Sequence, residues 1–463
     1  MGHDSQPRRC APVSGSRVTI IGGGLAGITA ALDCAQAGSR VTLVEVRPRL
    51  GGAAYSFERD GLWLDNGQHV FLRCCTAYRA LLERLGTTAE TVLQERLAIP
   101  VLAPGRRVAW LRRSGLRAPF HLSGSLLRYG HLTAPQRVSA AGAALLLGRV
   151  DPEDPENDWR SFGSWLSHHR QGRQAIDGLW ELIGKPTLNL RAGDASLAAA
   201  AFVFRTGLLE RADAGDIGYA RTPLQRVHGD AALRAVEVAG VDVRLGWRAQ
   251  RIERDPDAGF AVTGASNRLE ADAVVLAVPH DRAIGLLPVG ALHDVGSLSG
   301  LGSSPILNLH IVYDRRVLDY EFAAAVGSPV QYVFDRTQSS GLDRGQCLAV
   351  SISAADGDAE TGADELEARF TAALAELLPL ARDANVERFV VTREHMATFR
   401  AAPGAGRLRP GARTAVPGLA LAGAWTDTGW PATMEGAVRS GHAAARVALT
   451  ALDKERTLQE SVA

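Results

Sequence analysis

The chain has 463 residues, 46% hydrophobic and 22% charged, with a formal net charge of +1. That length holds two domains or one large discontinuous one, with enough apolar content for a sizeable core. The charge balance excludes a strongly basic nucleic-acid binder, since no basic tract carries interleaved aromatics. No apolar run reaches the ~20 residues of a membrane-spanning helix, and Val138 to Gly148 comes nearest. Met1 to Ser16 is polar, lacks the apolar centre of a signal peptide, and reads as a flexible lead.

The first ordered element is the β-branched run Val18 to Ile21, followed by Gly22-Gly23-Gly24-Leu25-Ala26-Gly27 and the helix formers Ile28 to Gln36. Gly38 stops that helix, and Arg40 to Val44 makes a second strand ending at Glu45. A strand, glycine turn, helix and strand in this order cradle a dinucleotide. Gly22 permits the tight turn, Gly24 lets backbone approach a pyrophosphate, and Gly27 allows close helix–strand packing. Glu45 is placed to accept hydrogen bonds from the adenosine ribose. Next comes Arg47-Pro-Arg49-Leu-Gly51-Gly52, a basic and glycine pair that returns side chain and backbone to the pyrophosphate. An NAD-dependent dehydrogenase fits Gly22 to Glu45 but leaves this second approach, and the far end of the chain, without a task.

Leu97 to Trp110 alternates like strands, and Leu122 to Leu147 reads as Leu/Ala-rich helices with interspersed Arg. Ser123 to Arg137 suits either a membrane-surface helix or an ordinary amphipathic core helix. Asp151 to Asn157 is an acidic, Pro-broken linker, and further helices follow through Leu182. Val241 to Leu245 and Leu269 to Val278 return to buried-strand pattern. Leu307 to Tyr313, Gln331 to Phe334 and Cys347 to Ile352 suggest a second sheet, with a helix over Ala363 to Leu377. The expected organisation is an α/β fold: a three-layer, Rossmann-like FAD-binding domain with a parallel sheet (17–95, 222–285 and 386–452) and an interleaved α+β substrate domain (96–221 and 286–385). Residues 1–16 and 453–463 are expected to be flexible termini.

The five cysteines show no Cys-x-x-Cys or metal-ligand spacing, so no metal is expected, and their odd number fits a reducing cytosol. Only two lysines occur, Lys185 and Lys454.

After the apolar run Leu419 to Leu421 comes Ala422-Gly-Ala-Trp-Thr-Asp-Thr-Gly-Trp-Pro-Ala-Thr-Met-Glu-Gly-Ala-Val-Arg-Ser-Gly441, then Ala-rich helical sequence. A strand ending in a Gly-rich loop before a helix presents unpaired N–H groups at a positive helix end. Such an end suits the electron-rich N1–C2=O2 edge of a flavin. Together with Gly22 to Gly52, this stretch closes a split FAD site.

These residues resemble the flavin amine oxidase and phytoene desaturase superfamily. Asp65-Asn-Gly-Gln-His69, Leu188-Asn189 and Trp425 to Gly441 are similar, more closely, to its hydroxysqualene dehydroxylase family. The resemblance implies FAD contacts at Gly22, Gly24, Leu25, Ala26, Gly27, Glu45, Val46, Arg47, Arg49, Gly51, Gly52, Ala53, Gly67, Gln68, Val243, Gly423, Ala424, Trp425, Thr433 and Met434. Ala53 and Ala424 depart from the family's arginine and aspartate, with Arg47 or Arg49 available to restore the charge. The implied reaction is reduction of a C30 allylic alcohol to squalene by hydride from reduced FAD, with an unidentified reductant as the redox partner. Hydroxide leaves poorly, so an acid must protonate it, and His69, Asp65 and Asp427 are the candidates. Each also has a plain structural reading: Asp65 and Asp427 in turns, His69 donating to a carbonyl. Glu435 is expected to stabilise the helix end rather than to catalyse. The implied partners are an apolar isoprenoid substrate and a membrane surface, at a cytoplasmic location. The alternatives are a carotenoid desaturase, an amine oxidase, or a flavin-fold protein that binds without catalysis.

Overall fold

A buried parallel sheet needs strands that are apolar on both faces, and Val18-Thr-Ile-Ile21 supplies one. In the computed structural model, which describes residues 15–255, 259–265 and 267–462, Arg17–Ile21 lies at the centre of a five-stranded sheet. The order is Asp242–Leu245, Arg40–Glu45, Arg17–Ile21, Ala273–Leu276, Leu419–Leu421, and every pairing is parallel. The pleat divides these strands between two cores. Val18, Ile20, Leu43 and Val275 pack with helix α1 (Leu25–Gln36) and the last helix (Met434–Val462). Ile21, Val44, Val274 and Leu276 face the other way, onto Ile252, Phe260 and Val262 of an antiparallel meander. The fold is therefore α/β and Rossmann-like, with helices on one side of the parallel sheet and a meander on the other.

A second, seven-stranded sheet runs Val386–Thr398, Ser304–Tyr313, Gln346–Ser353, Tyr332–Asp335, Phe322–Ala325, Ala98–Leu102, Ala109–Arg112. The helix Ala363–Leu377 covers one face, burying Leu366, Phe370 and Leu374 against Leu309, Ile311 and Val350. Two smaller elements join the sheets: the hairpin Ser56–Arg59/Leu62–Asp65, and Val70–Leu72 paired with Ile217–Ala220. Helix α2 (Thr76–Leu85) follows them.

Three expectations need correction. Val386 to Val391 does not begin the return to the parallel sheet; Val386–Thr398 pairs antiparallel with Ser304–Tyr313. Its mixture of charged and apolar residues suits an antiparallel edge, whereas Leu419–Leu421 is buried throughout. Leu269 to Val278 is two strands, Arg268–Ala271 and Ala273–Leu276, because Asp272 between them is held by the Arg17 N–H (2.7 Å) and guanidinium (2.9 Å). The polar sequence from Lys454 continues the last helix as far as Val462. Within the expected acidic linker, Asp154 caps a short helix, Pro155–Trp159. Residues 1–14 of the expected lead, and Ala463, lie outside the described residues.

Candidate FAD and substrate site

The glycines of the first loop are required for different reasons. Gly22 has φ +110°, and a Cβ there would lie 2.3 Å from the Ala277 carbonyl oxygen. A Cβ on Gly27 would lie 1.8 Å from the Gly22 oxygen. Both are dictated by packing between strand and helix. Gly24 is different: a Cβ would meet nothing nearer than the Gly52 Cα at 3.7 Å. Protein packing leaves that space free, as a pyrophosphate cradle requires. The α1 N-terminus beside it has no side-chain cap and no acidic residue in its first turn, so the N–H groups around Leu25, Ala26 and Gly27 suit an anion.

Gly52 (φ +60°) closes onto this loop, where a Cβ would lie 2.6 Å from the Gly24 Cα, and the Gly51 N–H donates to the Gly23 carbonyl (2.9 Å). Glu45 is buried, and its oxygens accept the N–H groups of Gly23 (2.6 Å) and Arg47 (2.8 Å). It braces the loop with lone pairs left for a ribose hydroxyl. Of the two arginines, Arg49 is the one placed beneath the glycine pair. Its guanidinium stacks 3.6 Å from the Tyr55 ring and reaches the Gly52 carbonyl at 3.3 Å. Burial and neighbouring Arg47 pull its pKa down. Arg47, Val46 and Ala53 are exposed, and Val243 pairs with Leu43 in the outer strand of the parallel sheet.

The C-terminal segment packs directly on this cradle. A Cβ on Gly441 would lie 2.3 Å from the Ala26 carbonyl oxygen, so the last helix crosses α1 at backbone contact. The Gly423 N–H donates to Ser440 Oγ (2.8 Å), and Thr433 Oγ1 accepts from the Gly436 N–H (3.1 Å) as the cap beside Met434. Trp425 is buried, with its indole N–H committed to the Val278 carbonyl (2.8 Å). The loop is pinned by Arg409, a residue the sequence did not single out. Its Nη2 donates to the carbonyls of Thr426 (2.6 Å) and Trp430 (2.7 Å), with Ala424 at 3.4 Å. Glu435 does stabilise a helix end, but that of α2: its carboxylate accepts the Ala77 and Tyr78 N–H groups at 3.1 and 2.7 Å and pairs with Arg439 at 2.6 Å.

The three acid candidates have separate fates. Both oxygens of Asp65 are engaged: Ser56 Oγ (2.6 Å) and the Leu224 N–H (3.1 Å) donate to one, Arg336 (2.7 Å) to the other. This makes Asp65 a buried strut between hairpin and second sheet. Asp427 is exposed, accepts from the Gly429 N–H in its own turn (3.2 Å), and borders a different cleft with Thr76, Arg439 and His442. His69 shares a cavity with Asp65, Gln68, Tyr219, Phe334 and Arg336. Its Nδ1 lies 3.0 Å from the Gly67 carbonyl, an N–H···O contact that sets the tautomer. Burial pushes its pKa down, against the Gly67 and Ala53 carbonyls and Asp65, which favour the cation. A Cβ on Gly67 would lie 3.3 Å from Asn308 Nδ2 and 3.4 Å from the His69 ring. Two further histidines are held neutral by burial: His228, bonded to the Tyr78 hydroxyl (2.7 Å), at about 3, and His310, 3.0 Å from the Asp65 carbonyl, at about 4.

The family described as flavin containing amine oxidoreductase matches residues 25–449. The chain belongs to this family. It is an FAD-dependent oxidoreductase, and its residues fit the cofactor, with a free space at Gly24, an uncapped α1 terminus and the Gly52 approach around it. Among its relatives, a hydroxysqualene dehydroxylase of Rhodopseudomonas palustris is 29% identical over 94% of this chain and 98% of its own length. A 15-cis-phytoene desaturase of Narcissus pseudonarcissus is 26% identical over 94% of this chain and 79% of its own. A putrescine oxidase variant superposes with a TM-score of 0.71 at 21% identity, covering 96% and 99% of the two chains, which shows the fold. Among the described residues no helix is long and apolar enough to cross a membrane, and no cluster of His, Cys, Asp or Glu could hold a metal ion.

Proposed function

We propose that this flavoenzyme reduces hydroxysqualene to squalene. The supporting observation is the near full-length correspondence with hydroxysqualene dehydroxylases, 94% of this chain against 98% of the relative, joined to a cavity bordered by His69, which no ion pair holds among the described residues. In the balanced reaction the allylic C–O bond breaks, the oxygen leaves as water after taking a proton, and hydride fills the vacated carbon. Reduced FAD, when bound, supplies that hydride.

His69 is the proton donor in this reading, since Asp65 is tied to Arg336 and Asp427 lines another cleft. Its depressed pKa means that the acid form grows as pH falls. The Gly67 carbonyl orients the ring. Tyr219 and Phe334 border this small cavity with aromatic surface, and the substrate chain itself needs far more room than it offers.

A phytoene-type desaturation has relatives on its side as well, 26% identical over 94% of the chain. It uses the same pocket with electrons moving from substrate to flavin. An amine oxidase reading gains nothing from the lysines near the site: Lys185 sits on Glu181–Leu188 near Glu181, Arg191 and Asp358, and does not line the His69 cavity. The test is incubation of purified protein with hydroxysqualene and a flavin reductant under nitrogen, read by squalene formation. No squalene, with oxidation of phytoene instead, overturns the proposal.

A further inference from the structure

Residues 96–150 contain nine arginines and neither a carboxylate nor a lysine. In a chain of net charge +1, this gathers positive charge into one segment and leaves the remainder net negative. The segment ends in two helices, α3 (Ser123–Leu127) and α4 (Ala134–Leu147). Helix α4 turns Ala140, Ala143 and Leu147 to the core. Its opposite side is Val138, Ala141, Gly142, Leu145 and Leu146, all exposed. That spacing is one helical stripe, and a surface helix ordinarily places polar residues there. Here it is entirely apolar, with Val138 68% exposed.

The stripe has neighbours of the same kind. Leu127 is 65% and Phe120 58% exposed, with Leu116 close behind. Arg137 donates to the carbonyls of Leu127 and Leu132, which holds the end of α3 against the start of α4. The Ser114 N–H bonds the His121 carbonyl (2.7 Å) and closes the loop bearing Leu116 and Phe120. Arg112, Arg117, Arg128 and Arg149 are exposed around this surface and form no ion pair among the described residues. Arg113 and Arg205, by contrast, are paired with Asp216 and Glu210.

We propose that this face docks on an anionic lipid bilayer, with Phe120, Leu127, Val138 and Leu145 entering the acyl boundary and the arginines meeting headgroup phosphates. Arg112, Arg117 and Arg128 stand by the apolar stripe in a segment with no carboxylate of its own, so charge complementarity favours an anionic partner. A second copy of the chain presents the same positive face, so two-fold association through it sets like charges together. The inference goes beyond the proposed reaction and holds for any membrane-dissolved apolar substrate.

The experiment is flotation of full-length, FAD-loaded protein, without substrate, on phosphatidylcholine vesicles with or without phosphatidylglycerol. The expected result is flotation on the anionic vesicles alone, weakening with salt. Val138→Asp with Leu145→Asp lowers partition more than about tenfold. Arg117→Glu with Arg128→Glu lowers it about fivefold or more per residue. Both variants keep the flavin spectrum and thermal midpoint, because the positions are exposed. Absence of flotation on anionic vesicles, equal flotation of wild type and the Val138/Leu145 variant, or a lipid-free dimer that this variant dissociates each overturns the proposal. Squalene formation in detergent is read separately, so either reading can fail alone.

Discussion

The two halves of the site are built from different material. The nucleotide side, Gly22 to Gly52 with Gly423 to Gly441, is made of backbone: missing Cβ atoms set its geometry, and N–H groups face the ligand space. The proposed reaction side, around Asp65, His69, His310 and Arg336, is made of side chains carried by separate strands and loops. A backbone site is written in a short stretch of chain and fails sterically. A side-chain site is assembled from distant elements and fails electrostatically.

The sharpest break in this comparison is Gly27→Ala, which sets a methyl 1.8 Å from the Gly22 oxygen. Soluble yellow protein should be lost, since a backbone clash costs ~3 kcal/mol or more. Gly24→Ala, with 3.7 Å of clearance, should fold normally and lose FAD affinity alone, measured by flavin fluorescence on titration. If the two behave alike, Gly24 is not reserved for a ligand.

On the reaction side, Arg336→Met strands the buried Asp65 carboxylate without its cation. About 3–5 kcal/mol of stability should disappear in urea unfolding, and adding Asp65→Asn should restore much of it. Acid should strike this side too. His228 and His310 titrate at about 3 and about 4 when folded, below the unfolded value of ~6.5. The unfolded chain therefore binds more protons in that window, and stability present above pH ~6.5 is lost as pH falls. Each ring contributes a slope of about 1.4 kcal/mol per pH unit. His310→Gln should remove one such slope, up to about 1.4 kcal/mol per pH unit, from the measured dependence.

The proposed chemistry gives a further contrast. His69→Gln should lower squalene formation about 10²–10⁴-fold while FAD stays bound, and the wild-type rate should rise as pH falls toward the depressed His69 pKa. The smallest effect is expected at Glu435→Gln, which weakens the charge-assisted cap on α2 and should cost about 1 kcal/mol by thermal unfolding.

The sequence alone determined the parallel-sheet fold class, the Gly22–Gly27 loop with Glu45, the Ala363–Leu377 helix and the pairing of the chain's two glycine-rich ends. Each of these is a local signal, because turn, strand and helix propensities act over a few residues. Tertiary structure decided the rest. Asp65 became a strut through Arg336, 271 residues away, and Glu435 became the cap of α2, 357 residues from the Tyr78 N–H it accepts. Val386–Thr398 joined the second sheet because its pairing with Ser304–Tyr313 satisfied an edge that its own alternating pattern does not identify. A charged side chain reads alike in sequence whether it catalyses or braces. The difference lies in which distant donor reaches it, and that is settled only when the sheets pack.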